Sequence, residues 1–373
     1  LITTIRRKAA AALVTSGLVA GAFVAQAAPA GAATFTVKKG QSIQAAINAA
    51  PAGSTIVVKP GTFRENVTIA KNNIKLQGTP GLTILKPPAG APTGGCAFVA
   101  FPGGPVENSG ICVIGDLDFS DFSVIKPVTG VSVTGFTVRN FPNQGVFVLG
   151  GENTTVQNNV FTNNGGYGVF ANTSTGTRIL DNTASGSGEA GLYVGDSPSA
   201  QAVVKGNTAF NNGFGIFIRS ASSGSIVANN VHDNCLGILF LQAPDSPTNW
   251  VATGNQVNHN NNVCPAGDEA PPVSGAGIAV FGGHQLVIQA NTVNNNRPNG
   301  PTFVSGGIVL VEGSSNNQIV GNTAHGNAPA DLIDQSAASN TFRANDCDTS
   351  IPGGLCGHTV VTTPATTTPP PGG

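Results

Sequence analysis

An asparagine returns about every 23 residues through most of this chain. It stands at Asn159, Asn182, Asn207, Asn230, Asn255, Asn291, Asn322 and Asn345, in steps of 23, 25, 23, 25, 36, 31 and 23 residues. Between these positions runs a second marker, a glycine followed by an aliphatic residue: GVFVLG (145–150), GVFANT (168–173), GLYVGD (191–196), GIFIRS (215–220), GILFLQ (237–242), GIAVFG (277–282) and GIVLVE (307–312). A fixed period of this length marks a solenoid, in which each unit buries its apolar side against its neighbours. The units are short runs of Val, Ile and Phe broken by Asn and Gly, and none inside the repeats has helical periodicity. The predicted fold class is all-β, a solenoid whose coils stack about 4.8 Å apart.

Each coil must turn sharply between strands. Asn tolerates the left-handed backbone region better than other non-glycine residues. Stacked Asn amides can also bond to the coils above and below, each bond contributing roughly 0.5–1.5 kcal/mol net. The Asn column is therefore expected to be a structural ladder, not a catalytic feature.

The pattern V-x-x-N-x-V followed by N-x-x-G-I-x-V, clear in GSIVANNVHDNCLGILF (224–240), resembles the right-handed parallel β-helix repeat of the pectate-lyase-like superfamily over about 131–346. Upstream, QSIQAAINAAPAGSTIVVKPGTFRENVTIAKNNIKLQG (41–78) is similar to the opening of many such proteins, pectin methylesterases among them. The resemblance implies a right-handed parallel β-helix with an N-terminal capping helix, on which Ile43, Ala46, Ile47 and Ala50 share one face. It implies no single activity, because the superfamily holds lyases, hydrolases, esterases, epimerases, phage tailspikes and adhesins.

Residues 1–33 read as a secretory signal peptide: basic Arg6, Arg7 and Lys8, an apolar run, then small residues. The run is too short for a membrane span. The β-helix is expected over 34–356, and 357–373 as a disordered Thr/Pro-rich spacer. Six cysteines in a secreted chain suggest three disulfides, and pairing by proximity joins Cys96 to Cys112, Cys235 to Cys264 and Cys347 to Cys356. Charged residues make up 9% of the chain and the net charge is −1. That argues against nucleic acid as a partner and tempers the expectation of a highly anionic ligand. A secreted monomer, free or held at the cell wall, is expected.

Function is expected where the period breaks. The first break, 86–127, carries Asp116, Asp118 and Asp121, a D-x-D-x-x-D cluster that could hold Ca²⁺; no other cofactor is expected. The others follow Asn255 and Asn291. Insertions 256–276 and 292–306 should stack at one corner, with Cys235–Cys264 tying the first down, and so build a wall beside a flat sheet. His232, Asp233, His259, Asp268, Glu269 and Arg297 lie there.

Strand alternation turns Phe147, Phe170, Tyr193 and Phe217 outward on successive coils. Such a stripe either stacks on sugar rings or is covered. Arg219 and Asp196 at its end form an acid–base pair, assigned as catalytic, with Tyr193, Phe217, Phe170, His259, Asp268, Glu269 and Arg297 as substrate-binding residues. The pectate-lyase W-I-D-H, the polygalacturonase N-T-D, D-D and G-H-G, and the epimerase D-P-H-D motifs are absent. His232, His259, His284 and His325 fall at different offsets from the ladder, so no metal site is expected from them. Two readings stay open. In one, the chain binds or cleaves an extracellular polysaccharide or cell-surface glycan as a lyase or glycoside hydrolase. In the other, it is a non-catalytic surface or structural binding protein.

Overall fold

The computed structural model describes residues 31–92, 94–96, 106–118, 123–267, 271–357 and 361–362. The expected signal peptide and most of the Thr/Pro spacer lie outside the described residues. The chain winds into a parallel solenoid with three faces. On the first face, strands such as Ser132–Thr134, Thr155–Gln157 and Arg178–Leu180 stack in parallel register. Among the described residues the second face has eleven strands, from Gly61–Arg64 to Asp346–Cys347. The third carries the Gly-aliphatic strands, including Val146–Leu149, Val169–Asn172, Ala190–Ser197 and Leu236–Leu241. One 14-residue strand, Phe214–Val227, runs unbroken from the third face onto the first.

The lumen is built by columns of like residues. Val133, Val156, Ile179, Val204 and Ile226 lie in register on the first face and are fully or almost fully buried. Val146, Val169, Leu192, Ile216, Ile238, Ile278 and Ile308 do the same on the third. These are the residues after each marker glycine, as alternation requires, and each stabilises the fold by about 1.5–3 kcal/mol. Where one coil carries Trp250, its neighbour in register carries Gly224; a Cβ there would sit 2.4 Å from the indole.

The N-terminal end is closed by the helix Ile43–Ala49, which buries Ile43 and Ile47. The first coil satisfies both helix ends. The Glu65 carboxylate accepts from Ile43 N, Gln44 N and Ser42 Oγ, while Lys71 Nζ donates to the carbonyls of Ile47, Asn48 and Ala50. At the other end Val361–Thr362, at the start of the expected spacer, pairs antiparallel with Thr341–Phe342. Three disulfides join Cys96 to Cys112, Cys235 to Cys264 and Cys347 to Cys356.

The ladder differs from its expected form at two points. The member between Asn207 and Asn255 is Asn229, not Asn230: Asn229 Oδ1 accepts from Asn207 N and Nδ2, and Asn229 Nδ2 donates to Asn255 Oδ1. Asn230 is exposed. In addition, the left-handed residue at each corner is the one before the ladder Asn: Asn158, Asp181, Ala228, Ala290 and Ala344 have φ of 54°, 52°, 51°, 50° and 54°. The ladder Asn thus serves by hydrogen bonding, and its neighbour makes the turn. A second ladder runs at the next corner through Asn212, Asn234, Asn260, Asn296 and Asn327 and ends on the Asp331 carboxylate.

Candidate functional site

The third face is covered at both ends. Near its start, Cys96, Cys112 and Leu117, from the first period break, pack on Phe147 and Leu149. Near its far end, Val273 and Val304 from the two corner insertions pack with Leu236, Leu239, Ala279, Val309 and Ile333. The insertions do stack: Ser274 N donates to Thr302 Oγ1 at 3.0 Å, and Phe303 N to the Pro272 carbonyl at 2.8 Å. They act as a cover over the sheet as well as a wall beside it. Phe303 remains exposed and stacks on Phe281, centroids 5.8 Å apart.

Between the two covers the aromatic stripe closes on itself, and this corrects the expected sugar contacts. Tyr193 is only 2% exposed and Phe217 6%. Tyr193 lies flat over its own strand, its hydroxyl 2.0 Å from where a Gly195 Cβ would stand. It stacks on Phe170 at 4.4 Å and 15° and meets Phe217 edge-on at 5.2 Å. Tyr167 and Phe214 complete the layer, at 5.1 Å from Tyr193 and 5.2 Å from Phe217. The partly exposed rings are therefore Tyr167, Phe170 and Phe214. Tyr167 and Phe214 each immediately precede a marker glycine, in YGV and FGI, and that is the signal that could have revealed them.

Beside these rings lies a polar cluster centred on one oxygen. Asp196 Oδ2 accepts from Asn172 Nδ2 at 2.8 Å, faces Arg219 Nη1 at 3.4 Å and lies 3.5 Å from the Tyr193 hydroxyl. The side chains of Asp196 and Arg219 are 35% and 37% exposed. Asp196 occupies the left-handed corner of its coil, φ 46°, which aims its carboxylate back along the face. Burial pushes the Tyr193 hydroxyl well above the usual phenol range, and the Asp196 charge adds to it. Burial pulls the Arg219 guanidinium down, but Asp196 and Tyr193 outweigh it and hold it above its ordinary value. At neutral pH the cluster thus presents a protonated phenol, a guanidinium and an amide around one carboxylate.

The other candidates stand apart. His259 is exposed at the corner between the second and third faces, in the left-handed position with φ 54°. Arg297 is pinned across the same corner, Nε donating to the Gly326 carbonyl. His232 lies on the second face, stacked on Phe210 with rings 2° from parallel and bonded to Asp233. Asp268 and Glu269 lie outside the described residues, as does Asp121. Asp116 pairs across a hairpin with Lys126. Among the described residues no three His, Cys, Asp or Glu converge as metal ligands, and no helix is long and apolar enough to cross a membrane.

Comparison with known proteins places the fold. The family model described as "Right handed beta helix region" matches residues 124–268. No curated protein matches the chain. Among solved structures, the mannuronan C-5 epimerase A-module of Azotobacter vinelandii is similar at 16% identity and TM-score 0.55, over 81% of this chain and 75% of that one. A surface adhesin of Streptococcus pneumoniae is similar at 14% identity and TM-score 0.56, over 82% and 86%. The catalytic unit of an α-1,3-glucanase from Streptomyces thermodiastaticus is similar at 16% identity and TM-score 0.50, over 87% and 70%.

Proposed function

We propose that this right-handed parallel β-helix repeat protein binds an extracellular polysaccharide on the middle of its third face. The observation that carries the reading is the convergence of Asn172, Arg219 and Tyr193 on Asp196 at the stretch between the two covers. Partly exposed edges of Tyr167, Phe170 and Phe214 offer apolar area to the C–H face of a sugar ring. Asp196, Arg219 and Asn172 offer hydrogen bonds to its hydroxyls or to a uronate carboxylate. An extended ligand suits the shape. The Asp196 and Arg219 side chains are 35% and 37% exposed at the edge of a parallel sheet, a surface along which a chain could lie. The names of the solved structures that share the fold, two polysaccharide-acting enzymes and an adhesin, support the ligand class. Three disulfides suit an oxidising compartment outside the cell.

A second reading, cleavage, is favoured by one feature of the cluster. A phenol that keeps its proton, a carboxylate and a guanidinium together form a proton-transfer set. Asp196 would accept a proton and Arg219 would stabilise developing negative charge, while the covered Tyr193 hydroxyl holds the Asp196 carboxylate in place. This fits elimination better than hydrolysis, which takes two carboxylates flanking the bond. The test is a glycan array with the full chain, followed by assays for reducing and unsaturated ends on each glycan bound. Arg219→Ala and Asp196→Asn should each weaken binding by about tenfold, roughly 1.4 kcal/mol. If no polysaccharide binds, or if both variants bind as the wild type does, the site is wrongly placed. Binding without any product would leave a non-catalytic binding protein.

A further inference from the structure

The second face carries a charge feature that the third-face site does not use. Strand Gly61–Arg64 pairs in register with Thr83–Lys86, setting Arg64 opposite Lys86. Strand Phe136–Arg139 follows with Val138 opposite Leu85, so Arg139 comes next in the same column, and Thr162 lies beyond it. Phe63, Leu85 and Val138 fill the lumen, and their strand neighbours Arg64, Lys86 and Arg139 therefore point outward. Three cations stand on successive coils about 4.8 Å apart. Like charges directly opposite on a sheet destabilise it, and a chain with 17 basic residues among 373 has ample room to avoid this.

Among the described residues no ion pair reaches the column. The parallel outward column is Thr62, Ile84, Thr137 and Val160, all uncharged. Glu65, next to Arg64 in the chain, turns its carboxylate to the capping helix. The ion pairs of the described residues lie elsewhere, at Asp196–Arg219 and around His232 and His325. Arg139 Nε is buried and has no hydrogen-bond partner, an orphan donor of the kind that folded proteins keep for a reason. Exposed Lys39 and Lys59, at the corner where this face begins, extend the positive patch.

We propose that the column Arg64–Lys86–Arg139 is a binding strip for a linear acidic glycan, whose carboxylate or sulfate groups pair with successive coils. The charges lie in a straight row along the solenoid axis, which suits an extended polyanion better than a compact one. Beyond the cations the column continues with the hydroxyls of Thr162 and Ser185, which can bond to sugar hydroxyls. Single-stranded nucleic acid is disfavoured because the rings further along the column, Phe210 and His232, stand beyond Thr162 and Ser185 and stack on each other, leaving the cations without an adjacent ring to stack a base. The proposal does not depend on the third-face reading.

The test measures binding of the full chain to alginate and to heparin, with uncharged dextran and single-stranded DNA as comparisons, across a salt series. Alginate or heparin should bind and weaken with salt, while dextran should not respond to salt. Binding of alginate assigns carboxylate recognition; binding of heparin alone assigns sulfate. The triple variant Arg64→Gln/Lys86→Gln/Arg139→Gln should lose affinity by about tenfold or more. Because Arg139 is half-buried, Arg64→Gln/Lys86→Gln serves as the variant that spares it, with an intermediate loss expected. Arg178→Gln/Lys205→Gln, which removes two charges from the first face, should leave this binding unchanged. No binding of either acidic glycan at low salt would overturn the proposal. So would an equal loss in the first-face control, or tighter binding of DNA than of both glycans.

Discussion

Replacing Asn229 by Leu tests the ladder at one residue. Its Oδ1 accepts from Asn207 N and from Asn207 Nδ2, both at 2.9 Å, and its Nδ2 donates to the Val204 carbonyl at 3.0 Å and to Asn255 Oδ1 at 2.9 Å. Leu removes all four bonds. Asn207 Nδ2 keeps its bond to the Ile179 carbonyl, and Asn255 Oδ1 keeps the Asn229 backbone N–H. The Asn207 N–H and the Val204 carbonyl lose the bonds that Asn229 gives them, in an interior where Asn207 and Asn229 are 1% and 2% exposed. At about 1–3 kcal/mol for each of the two buried groups left unsatisfied, the cost is about 2–6 kcal/mol. Asn230→Leu, one residue along and exposed, should change stability by about 0.5 kcal/mol or less. Urea unfolding followed by circular dichroism reads both variants, and midpoints are comparable if the slopes agree. Equal shifts for the two variants, or the larger one for Asn230→Leu, would refute the assignment of the ladder to Asn229.

Two further predictions concern titration. Burial pushes the Glu107 carboxyl above its ordinary value of 4.5, only partly offset by bonds from Ser109 and Gln144. A raised carboxyl stabilises the fold fully below that value and loses its contribution as pH rises through the folded pKa. Glu107→Gln, which cannot ionise, should therefore gain stability relative to wild type as pH rises from below 4.5 to neutral; a parallel pair of melting curves against pH would contradict this. The His325 imidazole is raised above 6.5 by its bond to Asp348, with Asp346 adding to it against slight burial. Its contribution is present below 6.5 and is lost as pH rises through the raised value. An NMR titration should find a midpoint above 6.5 that falls back in Asp348→Asn, and an unmoved midpoint would show that the pair is not formed in solution.

The solenoid was legible because a period survives as long as each coil must bury the same side chains. The residue after each marker glycine is lumenal in every coil described, and alternation alone predicts that. Register within a doublet was not legible. Asn229 and Asn230 are adjacent and identical, so spacing could not choose between them, and only the bonds to Asn207 and Asn255 do. The second ladder was hidden for a related reason. A serine, Ser187, stands on the coil before Asn212, its members often follow another Asn in the left-handed position, as in Asn211–Asn212, and its last rung is Asp331. Alternation placed Tyr193 and Phe217 outside the lumen, which holds, but outward is not the same as exposed. Their covers are neighbouring rings at the turns, Tyr167 and Phe214, which no strand rule reaches. The Asp196–Arg219 pair was legible because both residues end outward columns on adjacent coils. Asn172, which makes the shortest of the bonds to Asp196, is turned outward by the same alternation, but nothing in an Asn-rich chain marks it apart.

At the proposed site, sugar meets the partly exposed rings and the Asp196 cluster in the middle of the third face. The most direct measurement is the affinity of the double variant Tyr167→Ala/Phe214→Ala for any polysaccharide the full chain binds, set against Phe210→Ala, which removes a ring from the second face. Loss of two ring contacts of about 0.5–1.5 kcal/mol each should weaken binding by about tenfold in the double variant. Phe210→Ala should leave it unchanged. Unchanged affinity in the double variant, or an equal loss in Phe210→Ala, would contradict the account.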